Sequence, residues 1–136
     1  MKAKAPRTPR RPPIRILLVD DDPLICALGR ELLENLGYRV EVATAGPEAL
    51  RRFRQKGRTD LVILDYYLPG ENGPEILEKL KNLDPEVRVL LASGFLTHGE
   101  ADHLLRIGVS GLIHKPFRVG ELETQIKKVL AGPCGH

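Results

Sequence analysis

The sequence has few cysteines and no long apolar segment. Its two cysteines, Cys26 and Cys134, lie far apart and match no metal-ligand or redox spacing. This usage is typical of a protein in a reducing compartment. No apolar run approaches the ~18 residues that a membrane-spanning helix needs, and no signal-peptide pattern opens the chain. We therefore expect a cytoplasmic protein without a membrane segment.

Sequence features of several other functional classes are also missing. There is no glycine-rich phosphate-binding loop, no helix-turn-helix segment and no basic face on the core. The four histidines have no convincing metal-ligand spacing; they are His98, His103, His114 and His136. We expect a core that neither binds nucleic acid directly nor holds a histidine metal site.

Positive charge is concentrated at the start of the chain. Residues 1–13 carry five basic side chains and no acid, and they are rich in proline. Subtracting those five charges from the net +3 leaves −2 for residues 14–136. Such a segment cannot build a core, so it is interpreted as a disordered leader or linker. The 136 residues then fit one domain, predicted over residues 14–131, with a short tail at 132–136.

From Ile14 onward, short aliphatic runs alternate five times with helical patterns. The runs are Ile14–Val19, Arg39–Ala43, Leu61–Leu64, Val87–Ala92 and Gly111–Ile113. The first and third runs are almost wholly aliphatic, as expected for strands buried on both faces of a parallel sheet. The pattern therefore predicts an open, doubly wound α/β sandwich but does not fix the strand order.

Polar side chains follow four of these predicted strands. The first strand ends in Asp20-Asp21-Asp22, the third in Asp65 and the fourth in Ser93, while Lys115 follows the fifth. In an open parallel sheet, ligands bind outside the carboxyl ends of the strands. Taken singly, each residue has an ordinary explanation: Asp22 before Pro23 suits a helix N-cap, for example. Together they predict a site at one edge of the sheet.

The residue types at this edge suit phosphoryl transfer. Two carboxylates 4 Å apart repel by roughly 4 kcal/mol at an effective dielectric constant near 20, so their gathering calls for a cation. Hard oxygen ligands favour Mg²⁺. A carboxylate is a competent nucleophile toward phosphorus and carries no proton to remove. Lys115 and the Ser93 hydroxyl are suited to holding phosphoryl oxygens.

Four segments resemble the signature segments of response-regulator receiver domains of two-component systems. They are ILLVDDDP, DLVILDYYLPGENG, VLLASGF and GLIHKPF, in family order and at family-like separations between about Ile14 and Leu130. The resemblance implies a flavodoxin-like (βα)5 fold with strand order 2-1-3-4-5. It also implies a domain that is not an enzyme beyond catalysing its own phosphorylation and dephosphorylation.

The resemblance implies a role for each site residue. Asp65 is expected to accept the phosphoryl group, Asp21 to bind Mg²⁺ directly and Asp20 to bind it through water. Asp65 and the backbone carbonyl of Tyr67 would complete the metal site. Ser93 is expected to turn toward the phosphoryl group, beside Lys115. The bond before Pro116 is expected to be cis.

The resemblance also implies partners and a switching surface. A sensor histidine kinase or histidine phosphotransfer protein would act upstream, and an unknown protein target downstream. The surface formed by the fourth helix, fifth strand and fifth helix, within residues 101–130, would transmit the change. Leu112 stands where the family often has Tyr or Phe. In the family that ring commonly swings inward together with the hydroxyl on phosphorylation, and a leucine puts this coupled movement in doubt. Tyr67 and Phe95, bulky residues beside the site, suggest that attacking water is restricted.

Two other functions fit some of these residues. Asp20 and Asp22 have the Asp-x-Asp spacing of Mg²⁺-dependent phosphohydrolases with an aspartyl nucleophile, although the residues after them fit that motif poorly. A receiver-like binding module that is never phosphorylated is the other alternative, against which the full acidic, hydroxyl and lysine set argues. The domain arrangement is open between a stand-alone regulator and the receiver of a hybrid histidine kinase.

Overall fold

The computed structural model describes residues 13–55 and 59–132, which form five strands and five helices in strict alternation. The strands are β1 (Arg15–Val19), β2 (Arg39–Ala43), β3 (Leu61–Asp65), β4 (Val89–Ser93) and β5 (Gly111–His114). The helices are α1 (Pro23–Asn35), α2 (Gly46–Gln55), α3 (Gly73–Leu83), α4 (His98–Arg106) and α5 (Val119–Ala131). All five predicted strand–helix units are confirmed.

The strands form one parallel sheet in the order β2-β1-β3-β4-β5. Alternate side chains of the central strands enter two separate hydrophobic clusters, because successive strand residues point to opposite faces. One cluster joins the sheet to α2, α3 and α4, and the other joins it to α1 and α5. This arrangement confirms the predicted doubly wound α/β class and the strand order 2-1-3-4-5. β3 is buried along its whole length, as its aliphatic sequence predicts.

Local capping sets where the helices begin. The Asp22 carboxylate accepts a hydrogen bond from the Leu24 amide at 2.9 Å, which confirms its predicted N-cap role at α1. Asn72 and Thr97 form capping boxes with Glu75 and Glu100 at the starts of α3 and α4. Each cap fixes a helix start just beyond the carboxyl end of a strand, and so shapes the edge where the polar residues collect.

Two details differ from the sequence pattern. β4 begins at Val89, because the amide of the buried Val87 donates to the Asp84 carbonyl in a turn and not to a neighbouring strand. Within α1 and at its end, Leu24, Leu28, Leu32 and Leu36 recur every four residues, a repeat that predicts a helix. The buried positions, however, are Cys26 and Leu33, whereas Leu24 and Leu28 are exposed. The repeat therefore predicts the helix correctly but not the side that is buried.

The predicted leader and tail lie almost entirely outside the described residues, which include only Pro13 and Gly132 of those two segments. Cys134 and His136 also lie outside them. Among the helices of residues 13–55 and 59–132, no segment has both the length and the apolar character for crossing a membrane.

Candidate functional site

The predicted site residues meet at the carboxyl edge of the sheet. Asp20 directly follows β1, and Asp65 and Ser93 end β3 and β4. The chain leaves β1 toward β2 on one side, while β3 lies on the other, so the crevice between β1 and β3 is the topological switch point of the sheet. Ligands bind at such points in open α/β sheets. Asp20 and Asp65 flank this crevice.

Three carboxylates crowd together there. Asp20, Asp21 and Asp65 each offer an oxygen, and these atoms lie within 4.8 Å of one another. Asp20 and Asp65 are buried, and Asp21 is exposed. Two unit charges at 4.8 Å repel by about 3.5 kcal/mol at an effective dielectric constant of 20. The fold therefore holds three acids in an arrangement that needs positive charge.

Lys115 supplies one positive charge to this cluster. Its ammonium Nζ lies 2.9 Å from Asp20 Oδ2 and 3.5 Å from Asp65 Oδ1. The Lys115 backbone amide donates to the Ser93 carbonyl at 2.7 Å, which fixes the chain after β5 beside the end of β4. The peptide bond between Lys115 and Pro116 is cis, as predicted.

Burial and charge shift two pKa values in the cluster. Burial is the main cause that raises the pKa of Asp65, and the nearby Asp20 charge adds to it; the Lys115 charge opposes both. Burial by itself lowers the pKa of Lys115, but its hydrogen bond to Asp20 and the charges of Asp65 and Asp20 outweigh burial and leave that pKa raised. Lys115 is thus held as a cation beside the carboxylates.

The Ser93 hydroxyl is buried beside this edge but is engaged by its own loop. Its Oγ donates to the Phe95 carbonyl at 3.1 Å and accepts from the Phe95 amide at 3.2 Å. The structure thus brings Ser93 to the site without showing a contact between its hydroxyl and Asp65. The Phe95 side chain itself is 70% exposed.

Tyr67 contacts the site through its backbone. Its backbone amide lowers the pKa of the Asp65 carboxyl, and the residue forms an isolated antiparallel bridge with Asn72. Its side chain is 62% exposed and lies against the ring of Tyr66, with ring centroids 4.7 Å apart. The role of the Tyr67 carbonyl as a metal ligand stays a prediction.

The turn that carries the acidic residues is held by a contact that the sequence pattern does not predict. The buried Cys26 thiol donates to the Asp20 carbonyl at 3.2 Å, and the Asp20 amide donates to the Ala43 carbonyl at 3.1 Å. The Asp20 carboxylate also accepts from the Asp22 amide at 3.0 Å. The spacing of the cysteines gives no hint of this contact; the position of Cys26 six residues beyond Asp20, on the buried side of α1, is the signal that could have found it.

The donor set fits a divalent metal ion of the hard class. All three side chains offer carboxylate oxygens, the ligands that Mg²⁺ and Ca²⁺ take. Three negative charges and the single positive charge of Lys115 leave two negative charges uncompensated. Asp22 is not among the grouped carboxylates, and its side chain is used as the α1 cap. The Asp-x-Asp pair of the phosphohydrolase alternative is therefore not assembled.

A match to a protein family agrees with this fold and site. Residues 16–127 match the model of the response regulator receiver domain. The chain belongs to this family, which confirms the resemblance found in the four sequence segments. It is a receiver domain of the two-component response-regulator type.

Individual relatives differ in how much of their own length they share with the chain. Sporulation initiation phosphotransferase F of Bacillus subtilis (strain 168) is 35% identical over 119 residues, which are 85% of this chain and 93% of the relative. Sensor kinase CckA of Brucella abortus (strain 2308) is 31% identical over 116 residues, but the chain spans only 12% of that protein. The chain likewise spans 26% of the transcriptional regulatory protein ZraR of Klebsiella oxytoca.

A solved structure gives the same architecture. The response regulator protein TrrA from Thermotoga maritima, in complex with Mg²⁺-BeF, is 34% identical and superposes with a TM-score of 0.75. The match covers 85% of this chain and 98% of that one.

Proposed function

We propose that Asp65 accepts a phosphoryl group from a phosphohistidine, carried by a sensor histidine kinase or a histidine phosphotransfer protein. The observation that carries the proposal is the setting of the Asp65 carboxylate. It ends the central strand β3, its side chain is only 10% exposed, and it has Lys115 Nζ at 3.5 Å and two further carboxylates beside it. Asp65 is thus a buried acid beside a cation, in a cluster whose remaining negative charge calls for a metal ion.

In the transfer, an Asp65 carboxylate oxygen forms a bond to phosphorus as the bond from phosphorus to the histidine nitrogen breaks. The electron pair of that bond returns to the imidazole, and Asp65 becomes an acyl phosphate. No base is needed at Asp65 because its carboxylate carries no proton. The raised pKa of Asp65 is compatible with this role, since Lys115 and a bound cation both favour the ionised form.

We infer that Asp20, Asp21, Asp65 and the Tyr67 carbonyl hold Mg²⁺. When bound, Mg²⁺ neutralises charge on the transferring oxygens. The Mg²⁺-BeF complex of TrrA supports this inference by similarity. Lys115 places a further positive charge beside Asp65, and the Ser93 hydroxyl would leave its bonds to Phe95 to bind a phosphoryl oxygen.

The proposed signal is a shift between two populations of the domain. If the Ser93 hydroxyl breaks its hydrogen bonds to Phe95, the loop from Ser93 to Thr97, which directly precedes α4, would change conformation. The surface of α4, β5 and α5 would then present a different shape to an unknown downstream protein. Leu112 packs partly buried against the core cluster on the α4 side and carries no aromatic ring, so we propose that the coupling runs through the Ser93–Thr97 loop.

We also infer the setting of the domain. A receiver domain over residues 14–131 is supported by β1 beginning at Arg15, by α5 ending at Ala131 and by the family match over residues 16–127. We propose a cytoplasmic domain that catalyses only its own phosphorylation and dephosphorylation. The relatives include both a phosphotransferase of similar length and a much longer sensor kinase, so both a stand-alone regulator and a hybrid kinase remain arrangements to test.

Intact mass after incubation with acetyl phosphate and Mg²⁺ tests the proposal. The wild type should gain one phosphoryl group, and Asp65→Asn or removal of Mg²⁺ should abolish the gain. Asp22→Asn is the matched control: it removes a neighbouring charge, and asparagine caps a helix as well as aspartate does. A gain that persists in Asp65→Asn would assign the acceptor elsewhere. No adduct together with no beryllofluoride binding would favour the module that is never phosphorylated.

A further inference from the structure

A second group of charged residues lies at the opposite end of the sheet from Asp65. Arg15 begins β1 and Arg39 begins β2, whereas Asp65 ends β3. Five strand residues separate the two ends, about 16 Å at the usual rise per residue. The residues at this far end line a cavity of about 500 Å³, which we call the arginine cavity. Its charged lining is Arg15, Arg30, Arg39, Arg52, Glu34 and Glu41.

Two of the four arginines are already paired with acids. Arg30 Nε lies 3.1 Å from Glu34 Oε2, and Arg52 Nη1 lies 2.8 Å from Glu41 Oε1. These pairs use both glutamates of the cavity. The lining therefore keeps a net charge of +2, because four positive charges face two negative ones.

The remaining charge belongs to Arg15 and Arg39. Within residues 13–55 and 59–132, neither guanidinium has an ion-pair or hydrogen-bond partner; Arg15 uses its backbone amide, not its side chain, to contact Asp60. The two arginines are register partners in adjacent parallel strands. Their backbones are therefore about 4.8 Å apart and their side chains start on the same face of the sheet.

Two unpaired guanidinium groups starting side by side attract an anion. Two like charges that line the same cavity raise the local positive potential, which an anion between them would lower. Each guanidinium presents planar donors that match two oxygens of a carboxylate or phosphate. Tyr38 and Thr59 also line the cavity and add hydroxyl groups that donate hydrogen bonds. The lining is thus rich in hydrogen-bond donors and includes two neighbouring arginines, Arg15 and Arg39, that have no acidic partner.

We propose that the arginine cavity binds a small molecule carrying a phosphate monoester, with the phosphate held by Arg15 and Arg39. A phosphate monoester carries close to two negative charges at pH 7, which balances the net +2 of the lining. The volume lies within the range of ~300–1,000 Å³ common for small-molecule pockets, and exceeds what a bare phosphate fills. This site is separate from the acidic cluster, and the proposal does not rest on phosphorylation of Asp65.

The experiment is a titration in Mg²⁺-free Tris buffer, prepared with a chelating resin. Without Mg²⁺ the acidic cluster repels phosphate, so binding reports on the arginine cavity. The probes are adenosine monophosphate, inorganic phosphate and sulfate. Binding of each probe is measured by calorimetry and by amide chemical shifts in ¹H–¹⁵N spectra. We expect saturable binding, tightest for adenosine monophosphate, with shifts at the starts of β1 and β2.

Matched variants separate a built site from general attraction to positive charge. Arg15→Gln and Arg39→Gln should each weaken adenosine monophosphate binding at least tenfold. Arg54→Gln removes the same charge from an exposed position of α2 that does not line the cavity, and should change binding less than twofold. Circular dichroism checks that each variant is folded, and all three should still be phosphorylated by acetyl phosphate.

Three results would overturn the proposal. One is the absence of saturable binding, and another is equal weakening by all three substitutions, which would indicate general charge attraction. Equal affinity for adenosine monophosphate and inorganic phosphate would overturn the assignment to a phosphate monoester. Loss of acetyl phosphate labelling in the wild type would instead count against the Asp65 proposal and leave this one untouched, because the titration contains no Mg²⁺.

Discussion

The crowding of the acidic cluster predicts that Asp65→Asn stabilises the metal-free protein. Asp65 faces two carboxylates within 4.8 Å, each worth about 3.5 kcal/mol of repulsion at an effective dielectric constant of 20. The attraction of Asp65 to Lys115 at 3.5 Å offsets about 4.7 kcal/mol of this repulsion at the same effective dielectric constant. Burial further destabilises the ionised Asp65 carboxylate, while solvent around the exposed Asp21 weakens the repulsion between Asp21 and Asp65. We therefore expect a gain of about 1–2 kcal/mol in the free energy of unfolding.

The pH dependence has a definite sign. The pKa of Asp65 is raised in the fold, so the ionised carboxylate opposes folding at neutral pH. The neutral Asp65 carboxyl, in contrast, favours the folded wild type. Its stabilising contribution is complete below the pKa of the unfolded chain, near 3.9, and is lost as pH rises through the pKa of the folded protein. The advantage of Asp65→Asn over the wild type should therefore be largest near pH 7 and shrink toward pH 4.

Thermal unfolding followed by circular dichroism measures both effects. For a domain of this size, 1 kcal/mol corresponds to roughly 3–4 °C, so the metal-free variant should melt about 3–8 °C higher. Mg²⁺ at ten times its dissociation constant should stabilise the wild type by about 1.4 kcal/mol and the variant by less. Asp22→Asn should change stability by no more than about 0.5 kcal/mol. A metal-free Asp65→Asn protein that melts below the wild type would refute the electrostatic argument.

Three further predictions concern neighbouring residues. Lys115→Met should destabilise the metal-free protein by about 3 kcal/mol in urea titrations, because it leaves the buried Asp20 carboxylate without its cation. Mg²⁺ should restore part of this loss; equal losses with and without Mg²⁺ would contradict the argument. The Tyr67→Ala, Phe95→Ala double variant tests the hypothesis that these two exposed rings restrict attacking water. On that hypothesis it should lose the phosphoryl group faster in a time course of intact mass; an unchanged rate would refute the shielding role. Cys26→Ala should weaken Mg²⁺ binding severalfold, because the donor to the Asp20 carbonyl is removed, and Cys26→Ser should restore it; equal Mg²⁺ affinity in both variants would show that the thiol serves packing alone.

Much of the fold was accessible from sequence because its signals are local. The aliphatic residues of β3 predict a strand buried on both faces, and Pro74 after Asn72 marks the start of α3. The leucine repeat of α1 was less informative, since Leu24 and Leu28 lie on the exposed side. Periodicity identifies a helix, but which side is buried depends on the packing of that helix against the sheet.

The fold class and the kinds of side chain that reach the carboxyl edge can be predicted from the sequence. The prediction is possible because parallel strands place their last residues at one edge of the sheet, whatever the details of packing. Long-range packing determined that Asp21 joins the cluster while its neighbour Asp22 caps α1. It also decided that the Ser93 hydroxyl faces its own loop, and that Arg15 and Arg39, 24 residues apart, become neighbours. Strand register and side-chain orientation arise from long-range contacts, which leave no local pattern in the chain.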